Sequence, residues 1–436
     1  NKVTLGELQK NHSKFPLLEI VKNVFKSISI SVDDKEPVIV WEREYYESLF
    51  DFLGTVNRST LQNYFGFHIL LNIGPLTSES FRNLEHELQK AVTGAAKPKE
   101  RWVKCINDLQ KYTTFALGRI YVGKMFTPKA KEEAETFVKA LKETFHGLIK
   151  EKTWVDNETR DNALKKVETM TPKIGYADWL MNDSYLEEQY KYVKMFEPDT
   201  PYVKVSANLL ENLGLMRLTH LHTSYNKTTE WRAGPAAVRA FYYPGNNDIT
   251  FLAGILQPPF YKYGLPLSVN MGGIGMVIGH EVTHAFDDKG SQFNAEGELL
   301  NWWTNDTRTA YKKLKECFID QYGSINESQT CLPLNALNTQ GEDVADNGGL
   351  LGAYLTYKRL AEDSEKYPDL ALPGLENFTS DQMFFISNAV VWCNSMLTPA
   401  MRHRIQYNPH SPTKYRTLVP MSNMPAFSKA FTCRNG

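Results

Sequence analysis

The stretch GMVIGHEVTHAFDD, residues 275–288, constrains this chain more than any other. His280 and His284 stand four apart, and Glu281 follows the first histidine. On an α-helix, residues four apart share one face, about 40° around the axis. Both imidazoles can then reach one metal ion. Glu281 is too near in sequence to join them with the same geometry, but it can reach a water at the metal. A catalytic zinc takes three protein ligands and keeps one position open. It acidifies its water, and a carboxylate takes the proton as the water attacks a carbonyl. His-Glu-x-x-His meets these demands on one helix. The competing reading is a helix with two surface histidines, and the apolar run GGIGMVI ahead of His280 argues against a wet helix. Gly272, Gly273, Gly275 and Gly279 lack the register of a dinucleotide loop and fit close helix packing instead.

A third ligand must come from elsewhere, and NTQGEDVADNGGL, residues 338–350, offers it. Glu342 and Asp346 are again four apart, so one helical face carries two carboxylates. Glu342 is assigned to the zinc. Asp346 is assigned to accept from a ligand histidine N–H, which orients the ring and raises its basicity. Asp287 or Asp288 could do the same for His284. Read alone, this acidic face would pass for a solvated helix surface; a two-histidine helix gives it a use.

The chain has 436 residues, 42% hydrophobic and 23% charged, with a formal net charge of −1. That length favours two domains, and no global field draws nucleic acid or an anionic membrane. No apolar run is long enough to span a bilayer, and NKVTLGELQK does not read as a signal peptide. Asn-x-Ser/Thr occurs at Asn11, Asn57, Asn157, Asn182, Asn226, Asn305, Asn326 and Asn377, which favours an extracellular, glycosylated chain. Cys105, Cys317, Cys331, Cys393 and Cys433 follow no zinc-ribbon or CxxC spacing. In such a chain they point to disulfides, and their odd number leaves one without an internal partner.

The amino-terminal part reads as helical: apolar residues recur at helical spacing from AVTGAAKPKERWVKC through KEEAETFVKALKETF to ALKKVETM. TPKIGYADWLMNDS and FEPDTPYVKVS read as turns, and a soft boundary falls near 205. AVRAFYY and DITFLAGI read as a strand pair joined by PGNN.

Taken together, VIGHEVTHAFDDKGSQFNAEGELLNWWT, GEDVADNGGLLGAY, RAFYYPGNNDITFLAGILQPPFY, VVWC and HSPTKYR resemble the neprilysin and endothelin-converting-enzyme family of zinc metallopeptidases. CINDLQKYTTFALGRIYV extends the resemblance, more weakly, into the first half. The resemblance implies one zinc on His280, His284 and Glu342, with Glu281 as general base. It adds His410 as the donor to the tetrahedral oxyanion and Arg416 as an arginine near the site. It places Ala240 on an edge strand that holds the peptide backbone, with Arg239 where the family usually has Asn; arginine only donates hydrogen bonds. Ile255, Phe260, Met276, Val277, Val391 and Trp392 would line an apolar specificity pocket, so cleavage falls on the amino side of hydrophobic residues. The competing reading of these six is plain core.

The fold implied is mainly α: a helical lid domain over residues 1–205 enclosing the substrate cavity, and a thermolysin-like catalytic domain over 206–436 with a small mixed sheet. The function implied is hydrolysis of extracellular oligopeptides, on an ectodomain of a type II membrane protein or a secreted chain. Family ectodomains extend further at the amino end, where the membrane anchor and several cysteines lie. Cys105, Cys393 and Cys433 resemble positions whose partners are in that segment, and Cys317 resembles one bonded near the extreme carboxyl end; Cys331 has no counterpart. Two rivals are carried: a truncated, catalytically impaired peptide-binding member, and a structural zinc domain, whose four positions would all be filled by protein.

Overall fold

The computed structural model describes residues 2–12, 15–40, 42–224 and 226–433. The chain divides into two units, residues 1–88 with 187–225 and residues 89–186 with 226–436. This differs from a single cut near 205, and the reason is packing. Phe137, Leu141 and Phe145, on the helix Pro128–Glu151, are buried in the same core as Ile274, Met276, Ile278, Val282, Leu350 and Ala353. The long amphipathic helix read from the first half thus builds the core of the unit that carries the histidines.

In the first unit, Lys2–Thr4 pairs antiparallel with Pro37–Ile39. Thr4 and Glu7 form a capping box that starts the helix Leu5–Asn11. Leu5, Leu8, Val32, Val40 and Phe50 are buried. The helix Tyr202–Leu218 buries polar residues: Asn208 and Asn212 accept from the backbone N–H groups of Lys194 and Tyr192. The helix Arg58–Ile73 buries no side chain, and its Tyr64, Phe65, Phe67, Ile69 and Leu70 are each more than half exposed.

In the second unit, α1 (Pro128–Glu151) starts at a Thr127 cap with Pro128 in its first turn. It is followed by α2 (Asn157–Thr169), capped by Asp156. The helical pattern is therefore broken between them. A three-stranded sheet contains β1 (Thr171–Gly175), β2 (Ala240–Tyr243) and β3 (Asp248–Leu252) in the order β1-β3-β2. β2 and β3 are the antiparallel pair expected, turned by Pro244–Asn246 with Asn247 left-handed at φ 52°. β1 corrects the reading of TPKIG as a turn. It runs parallel to β3, with Thr171 opposite Asp248, and Lys173 Nζ lies 2.8 Å from Asp248 Oδ2 in the buried interior. A pairing set by a partner so distant in sequence leaves little local signature.

A π-turn at Met271–Gly275 leads into α3 (Met276–Thr283), and a 3-10 turn at His284–Phe286 closes it. α3 packs on α4 (Ala336–Leu360) through two glycines. A Cβ on Gly279 would lie 2.6 Å from Gly349 O, and one on Gly349 would lie 2.5 Å from His280 N. Only glycine permits this approach. It brings the carboxylates of α4 to the histidines of α3. α5 (Ser380–Val391) and α6 (Thr413–Ser422) complete the surroundings.

Candidate metal centre

His280 and Glu281 are buried on α3, and His284 is half-buried in the turn that follows. The two histidine Nε2 atoms are 2.9 Å apart. Glu342 Oε2, from α4, lies 3.2 Å from His280 Nε2 and 3.4 Å from His284 Nε2. Among the described residues, His280, His284 and Glu342 are the group whose ligand atoms converge. A tetrahedral zinc with bonds of about 2.0–2.1 Å sets its donors roughly 3.3–3.4 Å apart; the two edges to Glu342 match that spacing, and the 2.9 Å edge between the histidines is shorter. The donor chemistry also fits: two imidazole nitrogens and a carboxylate are zinc ligands. Glu342 Oε2 is buried without a hydrogen bond, as a ligand oxygen awaiting a cation would be.

Each histidine is held from behind. His280 Nδ1 lies 2.9 Å from Asp346 Oδ1, and His284 Nδ1 lies 2.6 Å from Asp287 Oδ2. Of the two aspartates open as partners of His284, the structure uses Asp287. With its proton on Nδ1, facing the carboxylate, each ring leaves its Nε2 lone pair for a metal. Asp346 is fully buried and is gripped by Arg416 through two 2.7 Å hydrogen bonds. The Arg416 guanidinium also lies 3.9 Å from the centroid of the Trp392 ring. Arg416 thus turns two of its nitrogens onto the metal centre's own support.

Burial works against the Glu342 carboxylate, but the neighbouring imidazoles of His280 and His284 outweigh it and hold the group below the usual carboxylate range. Glu281 goes the other way: burial raises it above that range, against the pull of His280 and His284. His410, in the loop before α6, points Nε2 to within 3.2 Å of Glu342 Oε2. Its Nδ1 is 3.1 Å from Asn408 Oδ1, which also accepts from the His410 backbone N–H. Burial pushes this imidazole down to about 4. It is therefore neutral at ordinary pH.

Several supports escaped the sequence reading. Asp343 accepts from Thr339 Oγ1 at 2.6 Å and from Ser411 Oγ at 2.7 Å, so it pins the residue next to His410. The Asn408-x-His410 spacing is an Asx-turn signal that could have been found locally. Nothing local marks the Asp343–Ser411 pair, which spans 68 positions.

The substrate-side residues are spread more widely. Arg239 is exposed and Ala240 half-buried at the start of β2, which is an edge of the three-stranded sheet. Ile255, Met276 and Val277 lie in the main core. Phe260 and Trp392 pack on that core half-buried, and Val391 is half-buried beside Trp392. Trp392 also lines a cavity of about 500 Å³ together with Cys393, Met401, Tyr415 and Leu418. The five cysteines are all exposed, and no two of them are bonded. No helix among the described residues is long and apolar enough to cross a membrane.

Comparison with known proteins identifies the lineage of this arrangement. Residues 1–177 and 239–436 each match peptidase family M13. The chain is 33% identical over 445 residues to Neprilysin-1 of Trittame loki, covering 100% of this chain and 61% of that protein. It is 33% identical over 449 residues to human neprilysin, covering 100% of this chain and 58% of that protein. The crystal structure of the Mycobacterium tuberculosis zinc metalloprotease Zmp1 with an inhibitor superposes with a TM-score of 0.88 at 27% identity, over 100% of this chain and 64% of that one. The chain thus spans about 60% of the length of the curated relatives it matches.

Proposed function

The chain belongs to peptidase family M13, and from that premise we propose that it is a zinc-dependent endopeptidase acting on oligopeptides outside the cell. The observation that carries this reading is the convergence of three ligand atoms from His280, His284 and Glu342 with Glu281 beside them. Among the described residues the converging group numbers three, the count of protein ligands at a catalytic zinc, where a structural zinc takes four. This favours a catalytic over a structural centre.

A zinc ion held there would supply Lewis-acid polarisation of a peptide carbonyl and acidify a water. Glu281 takes the proton from the attacking water. Burial of its carboxylate favours its taking up that proton. It then delivers the proton to the leaving amine. His410 presents Nε2 to the site, and whenever that nitrogen carries a proton it donates to the developing oxyanion. Asp346 and Asp287 keep the ligand histidines in the tautomer that presents Nε2. Arg416 acts through Asp346 and, beside Trp392, contributes to the substrate side.

The free edge of β2 supports strand-like pairing with an extended peptide at Arg239 and Ala240. Apolar Phe260, Val391 and Trp392, backed by Ile255, Met276 and Val277, favour a hydrophobic residue after the scissile bond. Short peptides rather than folded proteins are the proposed substrates. Exposure of the asparagine in all eight Asn-x-Ser/Thr sites supports a glycosylated, extracellular chain, anchored or secreted. The exposed cysteines leave room for disulfide partners outside this sequence.

Peptide specificity is tested with a set of internally quenched peptides that differ at the residue after the scissile bond. Leucine or phenylalanine there should be cleaved at least tenfold faster than aspartate or glycine. Equal rates across the set would remove the pocket assignment.

A further inference from the structure

Lys166, on α2, has no role in the site so far, yet it is among the most deeply buried side chains of the molecule, with 0% exposure. Burying a lysine is costly unless its ammonium is paired and hydrogen-bonded. Here all three N–H donors are used. Nζ donates to Ala285 O at 2.8 Å, Gly290 O at 2.7 Å and Phe293 O at 2.6 Å. The Trp302 ring centroid is 5.5 Å away, within cation–π range. All three carbonyls belong to one short segment, residues 285–293, which begins one residue after His284.

That segment also contains Asp287. Asp287 Oδ1 accepts from Gly290 N at 2.6 Å, while Oδ2 holds His284 Nδ1. Gly290 is therefore bound at both ends, its N–H to Asp287 and its carbonyl to Lys166. It sits so close to the chain that a Cβ there would lie 1.8 Å from His284 O. A residue that only filled space would leave three carbonyls pointing at one another without a donor.

We propose that Lys166 is a positioning residue for the metal centre: its amino group gathers the carbonyls of residues 285–293 around itself and, through Gly290 and Asp287, fixes the ring of His284. The centre is then braced from behind both histidines. Arg416 holds Asp346 behind His280 directly, and Lys166 holds Asp287 behind His284 through the loop. The inference rests on the zinc reading given above.

The test measures metal, not turnover. Zinc affinity of the full chain is read by competition with a chromophoric chelator, and the visible spectrum is recorded after cobalt substitution. Lys166→Met should weaken zinc binding roughly 10–100-fold, as loss of a support behind a ligand does, and alter the cobalt bands. Asp287→Asn should do the same, and the double variant should be little worse than either, because both act through one path. A Lys166→Met protein that melts earlier but keeps the parent's zinc affinity and cobalt spectrum overturns the proposal; Lys166 would then be core alone. Should Lys166→Met not fold, the unmodified protein decides by amide exchange. Removing zinc should increase exchange in residues 285–293 and around Lys166 together, since the coupling is reciprocal. A rise in the first with none in the second overturns it. The outcomes also separate this inference from the peptidase reading. A parent that binds no zinc sinks both. A parent that binds zinc and cleaves nothing, with affinity still lost in Lys166→Met, upholds the bracing while the peptidase reading fails.

Discussion

Two regions of this molecule treat burial in opposite ways. Around α3 and α4, charged side chains are driven inside and set against one another: His280 faces Asp346, Asp346 is held by Arg416, His284 by Asp287, and the loop by Lys166. On the helix Arg58–Ile73 of the other unit, apolar side chains stay outside and none is buried. The first region breaks the rule that charges stay in water, and cross-bracing offsets the desolvation. The second breaks the rule that large apolar groups leave water. A site that must hold a metal in one geometry needs the first arrangement, because a mobile ligand would lose affinity and direction.

The comparison can be attacked from its costliest contact downward. Arg416→Ala leaves Asp346 buried without its main partner, which should lower unfolding free energy by about 3–5 kcal/mol in urea titrations. A change below 1 kcal/mol would mean that water already serves Asp346. Leu141→Ala, in the core under α3, should cost roughly 2–5 kcal/mol. A buried carboxyl gives a pH test. Burial pushes Asp343 up to about 7, against hydrogen bonds from Thr339 and Ser411. Between the unfolded value near 4 and the folded value, the folded chain binds the extra proton. The stability this supplies is complete below about pH 4 and is lost as pH rises through about 7. Unfolding free energy of the zinc-free parent, measured relative to Asp343→Asn, should therefore fall by on the order of 3 kcal/mol from pH 4 to pH 8. A constant gap would show that Asp343 ionises normally. Smallest of all, Leu70→Ala on the exposed helix should change stability by no more than roughly 0.5 kcal/mol. A loss as large as that of Leu141→Ala would erase the contrast between the two regions.

What the sequence made legible follows the same division. His280 with His284, and Glu342 with Asp346, are neighbours at helical spacing, so one-dimensional pattern and chemical need converged on them. The strand pair on either side of PGNN was legible for a similar reason: its partners are adjacent. Lys166 was not, because its acceptors lie 119 to 127 positions away and are backbone carbonyls, which carry no residue signature. β1 was hidden because TPKIG pairs across 77 positions, with Thr171 opposite Asp248. The boundary near 205 rested on composition, whereas the division of the chain rests on which core α1 fills.

The most direct test compares cleavage of an internally quenched peptide, with a large hydrophobic residue after the scissile bond, by the parent chain and by Glu281→Gln, each with its zinc content measured. The substitution keeps the size of the side chain and removes the base. The account predicts one zinc in both proteins, activity in the parent that chelator abolishes, and a rate at least roughly 100-fold lower in Glu281→Gln. Equal cleavage by the two zinc-loaded proteins would contradict it.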